Sequence, residues 1–121
     1  MRIKNNKIIS AVGKDFLAKL FSSGDKLVGF EISGHSGYAE EGSDIICASV
    51  SSCAYMVANT VTDVYHIDAD IELRDGFLKL LVPVSRAGEL QKLFSGFELH
   101  LKALAEDYKS FLKAENEIIN K

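Results

Sequence analysis

Two cysteines and a single proline are all that 121 residues contain of either. So few cysteines beside this much apolar material do not make a disulfide framework, and a reducing compartment keeps both as thiols. On one helix the step from Cys47 to Cys53 turns through about 240° at 3.6 residues per turn. That excludes an easy pairing. A large excess of charge of one sign is missing too: the net charge is -3 and the pI about 5.6, so bulk electrostatics give no argument for nucleic acid as a direct partner. No apolar run is expected to reach the length that spans a bilayer, and residues 1–14, MRIKNNKIISAVGK, hold only a short apolar patch broken by serine. Such a patch is too short for a secretory core, so a cytoplasmic location with no membrane partner is expected. No glycine-rich loop leads into a helix through Lys-Ser/Thr, which removes the phosphate-cradling sites.

What is present is an ordinary globular composition, 47% hydrophobic and 26% charged, enough for one buried core and too short for two. Residues 1–14 carry Arg2, Lys4, Lys7 and Lys14 with no acid, and read as an N-terminal arm before a single domain spanning 15–121. Two strand-like runs follow, FLAKLF and KLVGFEIS, joined by a Ser-Ser-Gly-Asp turn. In the second run Val28, Phe30 and Ile32 alternate with Gly29, Glu31 and Ser33, which predicts one buried face. Residues 44–61 have a helical pattern with small side chains, Ala48, Ser49, Ser51, Ser52 and Ala54, on much of the surface. Next, Ile67, Ala69, Ile71 and Leu73 alternate with Asp68, Asp70, Glu72 and Arg74 up to Asp75-Gly76, and a return strand runs to the proline at 83. Ser85 then reads as the N-cap of a long helix with an apolar stripe of Leu90, Phe94, Phe97, Leu101, Leu104, Tyr108 and Phe111. Gly96 inside it costs about 1 kcal/mol relative to alanine, which points to close packing there.

The chemistry gathers in residues 34–52, GHSGYAEEGSDIICASVSS. Gly34, Gly37 and Gly42 make a pliable loop with His35 near its start, and Ser43 and Asp44 can cap a helix carrying Cys47 in its first turn. A helix N-terminus exposes unpaired N–H groups and a partial positive charge, so a cysteine there is stabilised as thiolate, the form that attacks carbonyls. His35 is the candidate base or counter-cation. A histidine and a cysteine twelve residues apart equally fit a loop residue and a buried thiol with no joint role.

The run GHSGYAEEGSDIICASVS closely resembles the signature of the ribosomal-processing cysteine proteases, in which a Gly-His-Ala/Ser-Gly-x-Ala loop leads through Gly-x-Asp-Ile to a Val/Ile-Cys-Ala helix start. The resemblance extends over residues 16–115, with Ser36 and Ser49 where alanine is common. It implies a small two-layer α+β domain of the broad α/β class: an antiparallel sheet of two hairpins plus a short C-terminal strand near 111–115, packed on two helices. It also implies a homodimeric cysteine endopeptidase that removes the N-terminal extension of a bacterial large-subunit ribosomal protein precursor, number twenty-seven. By the same resemblance Cys47 is the nucleophile, His35 the general base, and Gly34, Asp44 and Ser51 line the substrate cleft. No cofactor and no metal are called for.

The residues agree with that chemistry. His35 would take the proton of Cys47 and return one to the leaving amine, while N–H groups at the helix start hold the oxyanion, and the glycines suggest a loop that closes over substrate. Asp44 serves as an N-cap or as a third catalytic group, two roles that compete for one side chain. Glu40 and Glu41 are solvated acids or a match for a basic peptide. Cys53 reads as a packing residue, and His66 and His100 as surface or interface residues. A zinc site from His35, Cys47, Cys53 and His66 lacks the close ligand pairs of structural sites. Two other classes stay open: a ribosome-associated binding protein or assembly chaperone that does not cut, and a thiol-dependent transferase or redox sensor.

Overall fold

Alternation builds the first hairpin, β1 (Phe16–Ser23) and β2 (Lys26–Gly34). Val28, Phe30 and Ile32 are buried as expected, and the antiparallel register runs from Phe16 opposite Gly34 to Ser23 opposite Lys26. Gly24, at φ +62°, supplies the left-handed residue that the two-residue turn needs. The computed structural model describes residues 16–34 and 43–120, with backbone alone at Ser43 and Asp44. The expected arm at 1–14 lies outside the described residues.

Helix α1 spans Ser43–Asn59 and continues as a π-helical turn, Thr60–Val64. Two threonines explain the widening, because Thr60 Oγ1 donates to the Met56 carbonyl (2.7 Å) and Thr62 Oγ1 to that of Ala58 (3.2 Å). Hydroxyls that bond back to i−4 carbonyls disturb the regular ladder. Tyr65 N–H then reaches the Thr60 carbonyl, and His66, exposed at φ +55°, turns the chain out of the helix. Residues Ile45–Val64 form a helix long and apolar enough to cross a bilayer by length and composition, which corrects the expectation that no such stretch exists. A third of it is buried inside the fold, with Ile46, Val50, Val57 and Val61 fully in the core.

The second hairpin is β3 (Asp70–Arg74) and β4 (Phe77–Leu81), closed at Asp75-Gly76. The sheet order is β3-β4-β2-β1-β5. The last strand, β5 (Leu112–Ile118), starts one residue later and runs three further than expected, and it pairs parallel to β1, so the sheet is antiparallel in all but one pair. The α+β layer of two long helices on this sheet matches the expected fold class. Ile71 and Leu73 are paired with buried Leu80 and Leu78, yet are 46% and 59% exposed, because the helix layer stops short of this edge strand.

The last helix does not begin at Ser85. Pro83 instead precedes a single helical turn, α2 (Val84–Ala87), a 3₁₀ turn at Gly88–Leu90 and then α3 (Gln91–Asp107). A 3₁₀ turn places side chains three apart on one side, and here Ala87 and Leu90 are both fully buried. Gln91 explains where α3 starts: its Oε1 accepts from Leu27 N–H (2.9 Å), while its Nε2 donates to the Leu27 and Ala87 carbonyls (both 2.8 Å). Leu90, Phe94, Phe97 and Leu101 form the buried stripe, but Tyr108 and Phe111 lie beyond the helix, which ends at Asp107. Gly96 also reads differently, since a Cβ there would meet nothing within 4 Å. Gly96→Ala is therefore expected to stabilise the fold by about 1 kcal/mol, measured as a raised urea midpoint.

A small polar cluster ties α3 to β5. Asn116 Nδ2 donates to Glu98 Oε2 (2.6 Å), and Lys102 Nζ donates to Asn116 Oδ1 (2.7 Å) and pairs with Glu98 (3.1 Å). The Asn116 hydrogen bond first, then the bond and charge of Lys102, hold the Glu98 carboxyl below its ordinary pKa against some desolvation. A carboxyl depressed in the folded state stabilises above its unfolded pKa, and that contribution is lost as pH falls through the folded value. Between about pH 5 and pH 3 the unmodified protein should lose up to about 1 kcal/mol more than Glu98→Gln. Urea midpoints of both proteins across that range check it.

Candidate active site

One end of the sheet gathers the start of β1, the end of β2, the β3–β4 turn and the start of β5: Phe16 faces both Gly34 and Leu112, and Ser33 faces Phe77. Helix α1 leaves from this end. It runs back along the sheet, because its π-helical tail feeds within six residues into β3, whose first residue lies opposite Leu81 at the other end.

Cys47 is the fifth residue of α1, at the head of the second turn and not in the first. Its own amide is therefore in the regular i−4 ladder, and the free N–H groups belong to the residues before it. Because every Cα–Cβ bond in a helix tilts toward the N-terminus, the sulfur is carried back over that first turn. The thiol is free, half-buried and packed against the core. Ser51, four residues on and also half-buried, lies one turn below on the same face. The structure brings these two predicted residues together.

Gly34 closes β2 at φ +114°, and its N–H donates to the Gly76 carbonyl at 2.9 Å. Ser43 and Asp44 are the first two residues of α1, so neither stands at the capping position that the sequence suggested. His35, Glu40 and Glu41 lie outside the described residues. Cys53 is half-buried on the opposite flank of the helix from Ser51, and burial pushes its thiol pKa up, which keeps it protonated and suits a packing role. His66 and His100 are exposed. Among the described residues no group of three His, Cys, Asp or Glu side chains could hold a metal. Cys47 and His66 in particular sit near opposite ends of a helix whose rise of 1.5 Å per residue separates them by roughly 25 Å. Gly76 was legible in the sequence only as half of a turn; its bond to Gly34 joins residues 42 positions apart and leaves no local signal.

A free, half-buried cysteine near the head of a helix, with a serine one turn below it, is compatible with a thiol hydrolase of the cysteine protease class. The description "Cysteine protease Prp" names the family model that matches residues 17–113. The chain is 30% identical over 110 residues to the ribosomal processing cysteine protease Prp of Bacillus subtilis, covering 84% of this chain and 97% of that one. It superposes with a TM-score of 0.74 on the crystal structure of SMU.848 from Streptococcus mutans, at 25% identity over 88% of this chain and 97% of the other. An equal TM-score of 0.74, at 19% identity over 84% and 99% of the two chains, relates it in fold to the essential ribosomal processing protease Prp from S. aureus, solved with a substrate peptide. The chain belongs to the Prp family of cysteine proteases.

Proposed function

We propose that this protease removes the N-terminal extension from the precursor of large-subunit ribosomal protein number twenty-seven, in the cytoplasm and as a homodimer. The observation that carries the reading is the seat of Cys47, half-buried over the first turn of α1 with Ser51 beneath it. The name of the Bacillus subtilis relative supports a ribosomal protein as substrate, and the S. aureus protein of the same fold binds a substrate peptide.

In this reading His35 accepts the thiol proton and the Cys47 sulfur attacks the scissile carbonyl carbon. Free amides at the start of α1 stabilise the oxyanion. Collapse of the tetrahedral species breaks the C–N bond, the proton held by His35 passes to the departing amine, and an acyl thioester remains on Cys47. Water then adds to the thioester with His35 again as base, which releases the acid and restores the thiol. Ser51 and Gly34 border the cleft, with Asp44 in the first helical turn.

The dimer reading rests on exposed apolar surface. Ile45 (65%), Tyr55 (48%), Met56 (53%) and Val64 (69%) line the outer side of α1, and Ile71 and Leu73 are open on the helix side of β3. Exposed large apolar side chains in this number on one helix and the edge strand are the surface that an association face would use.

The test is to incubate the protein with a peptide of the extension joined to the first residues of the mature ribosomal protein and to read product masses. A single cut at the junction supports the reading. Binding without scission sinks it in favour of a non-cutting assembly factor, and alkylation of Cys47 without peptide scission sinks it in favour of a redox or transfer role. Sedimentation of the unmodified protein and of Tyr55→Lys/Met56→Lys tests the dimer: two copies falling to one is expected, and an unmodified monomer refutes it.

A further inference from the structure

We propose that β3 is a docking strand for substrate: an extended segment of the peptide, beside the bond that is cut, adds to its open edge through the main-chain groups of Ile71 and Leu73 and lays alternate apolar side chains against theirs. The proposal rests on the proteolytic reading above, which makes a peptide the occupant.

The topology puts this edge on the side of the thiol. Strands β2 and β3 run parallel with β4 between them, so α1 is a crossover, and crossovers of this kind are right-handed. Since α3 packs on β5 and β2 and against α1, α1 occupies the β3 side of the helix layer. Its own right-handed turn then sorts its flanks. Ile46, Val50 and Val57 look down on the sheet; one step further round, Cys47 and Ser51, with Tyr55 completing the i, i+4 ridge, look toward β3, and Cys53, one step back, looks toward α3. Ala58, lower on the same flank as Cys47, is buried at the end from which the chain returns to β3. Toward the thiol end Tyr55 is exposed, and Ile71 and Leu73 stand open on the helix side of the sheet.

The main chain of the same two residues is open as well. Along β4 the even positions bond to β2: the Gly76 carbonyl accepts from Gly34 N–H, and Val82 N–H donates to the Val28 carbonyl. Successive residues of a strand alternate between its two neighbours, so Phe77, Lys79 and Leu81 bond to Arg74, Glu72 and Asp70. That turns the N–H and C=O of Ile71 and Leu73 off the outer edge of β3, where no described strand pairs with them. A peptide added there places every second side chain on the thiol side, beside Ile71 and Leu73, and the others beside Asp70, Glu72 and Arg74, all exposed on the opposite face. Two acids to one base on that face favour basic residues between the apolar ones. The chemical class is therefore an extended segment that alternates apolar and basic side chains.

Binding is read by fluorescence anisotropy on Cys47→Ala and cleavage on the unmodified protein, both with the peptide that joins the extension to the first mature residues. In a series of such peptides, each N-methylated at one amide of the extension, affinity should fall with a period of two: at least about fivefold where the amide faces β3, and under about twofold between. Ile71→Ser/Leu73→Ser should raise KM at least about tenfold with kcat within about twofold, the mark of lost ground-state binding. Ile118→Ser removes an equally open apolar side chain from the other edge strand, β5, and should change neither. The methylated peptides leave the protein untouched, so they decide the matter even where the double variant does not fold. Affinity without that period, or an unchanged KM in the folded double variant, overturns the proposal. So does a double variant that sediments as one copy where the unmodified protein sediments as two, with KM unchanged, since the edge then belongs to a second copy. A peptide that binds with the period of two and is not cut fails the proteolytic reading alone; one that is cut without the period fails this proposal alone; one that neither binds nor is cut fails both.

Discussion

Alanine at Cys47 is expected to abolish peptide cleavage, with kcat down by about 10⁴-fold or more, while peptide binding stays within about threefold. The residue is half-buried against the core, so losing one sulfur atom costs at most about 1 kcal/mol of stability, by analogy with small truncations. A loss of rate that large is then chemical. Serine at the same place keeps the shape and loses nearly as much, because a hydroxyl is a far weaker acid and a poorer nucleophile than a thiol. The contrast is Cys53→Ala. Burial pushes that thiol up and away from the reactive thiolate, so its removal should leave kcat within about twofold. Rapid-quench kinetics with intact mass detection would show an acyl adduct on the unmodified protein and on Cys53→Ala. Cleavage by Cys47→Ala, or its loss in Cys53→Ala, would refute the assignment of the nucleophile.

That Cys47 and Ser51 share a helix face was readable because helical spacing is local information. Cys47 and Ser51 are four residues apart, and that alone puts them on one face. Even so the sequence placed the helix start late by a residue or so, since Ser43 and Asp44 look like caps and prove to be helical. The strands of the first hairpin were legible for the same reason, with Val28, Phe30 and Ile32 alternating into the core. Ile71 and Leu73 alternate just as cleanly and remain exposed, because periodicity says which side chains share a face and not whether anything covers that face. The parallel pairing of β5 with β1 depends on where α3 returns the chain, which no residue of β5 encodes. The break before α3 is set by Gln91 reaching Leu27, a bond across 64 positions. Gly34 and Gly76 follow the same rule: each was visible as a glycine, and their bond was not.

Gly29 carries the second large effect, and it is one that alternation would misjudge. Placed between Val28 and Phe30, it reads as an outward position open to substitution. It lies instead in register with Phe21 on one side and Leu81 on the other, and a Cβ built there would sit 2.0 Å from the Leu80 carbonyl oxygen and 2.9 Å from Leu81 Cδ2. The first contact is backbone and cannot swing aside. Leu80 is fully buried, and the neighbouring Val82 N–H is bonded to the Val28 carbonyl at 2.9 Å, so relief requires β4 to part from β2. Gly29→Ala is expected to cost about 3 kcal/mol, at the upper end for overpacking, and Gly29→Val to leave the protein largely unfolded. Urea denaturation gives the first value and near-ultraviolet dichroism the second. Strand β4 also begins at Phe77, directly after the Gly76 carbonyl that holds Gly34. A shift of β4 that the alanine variant survives should therefore reach the thiol end of the sheet and reduce kcat beyond what its folded fraction explains. A stability loss under about 1 kcal/mol would show that the two strands yield where the backbone contact says they cannot.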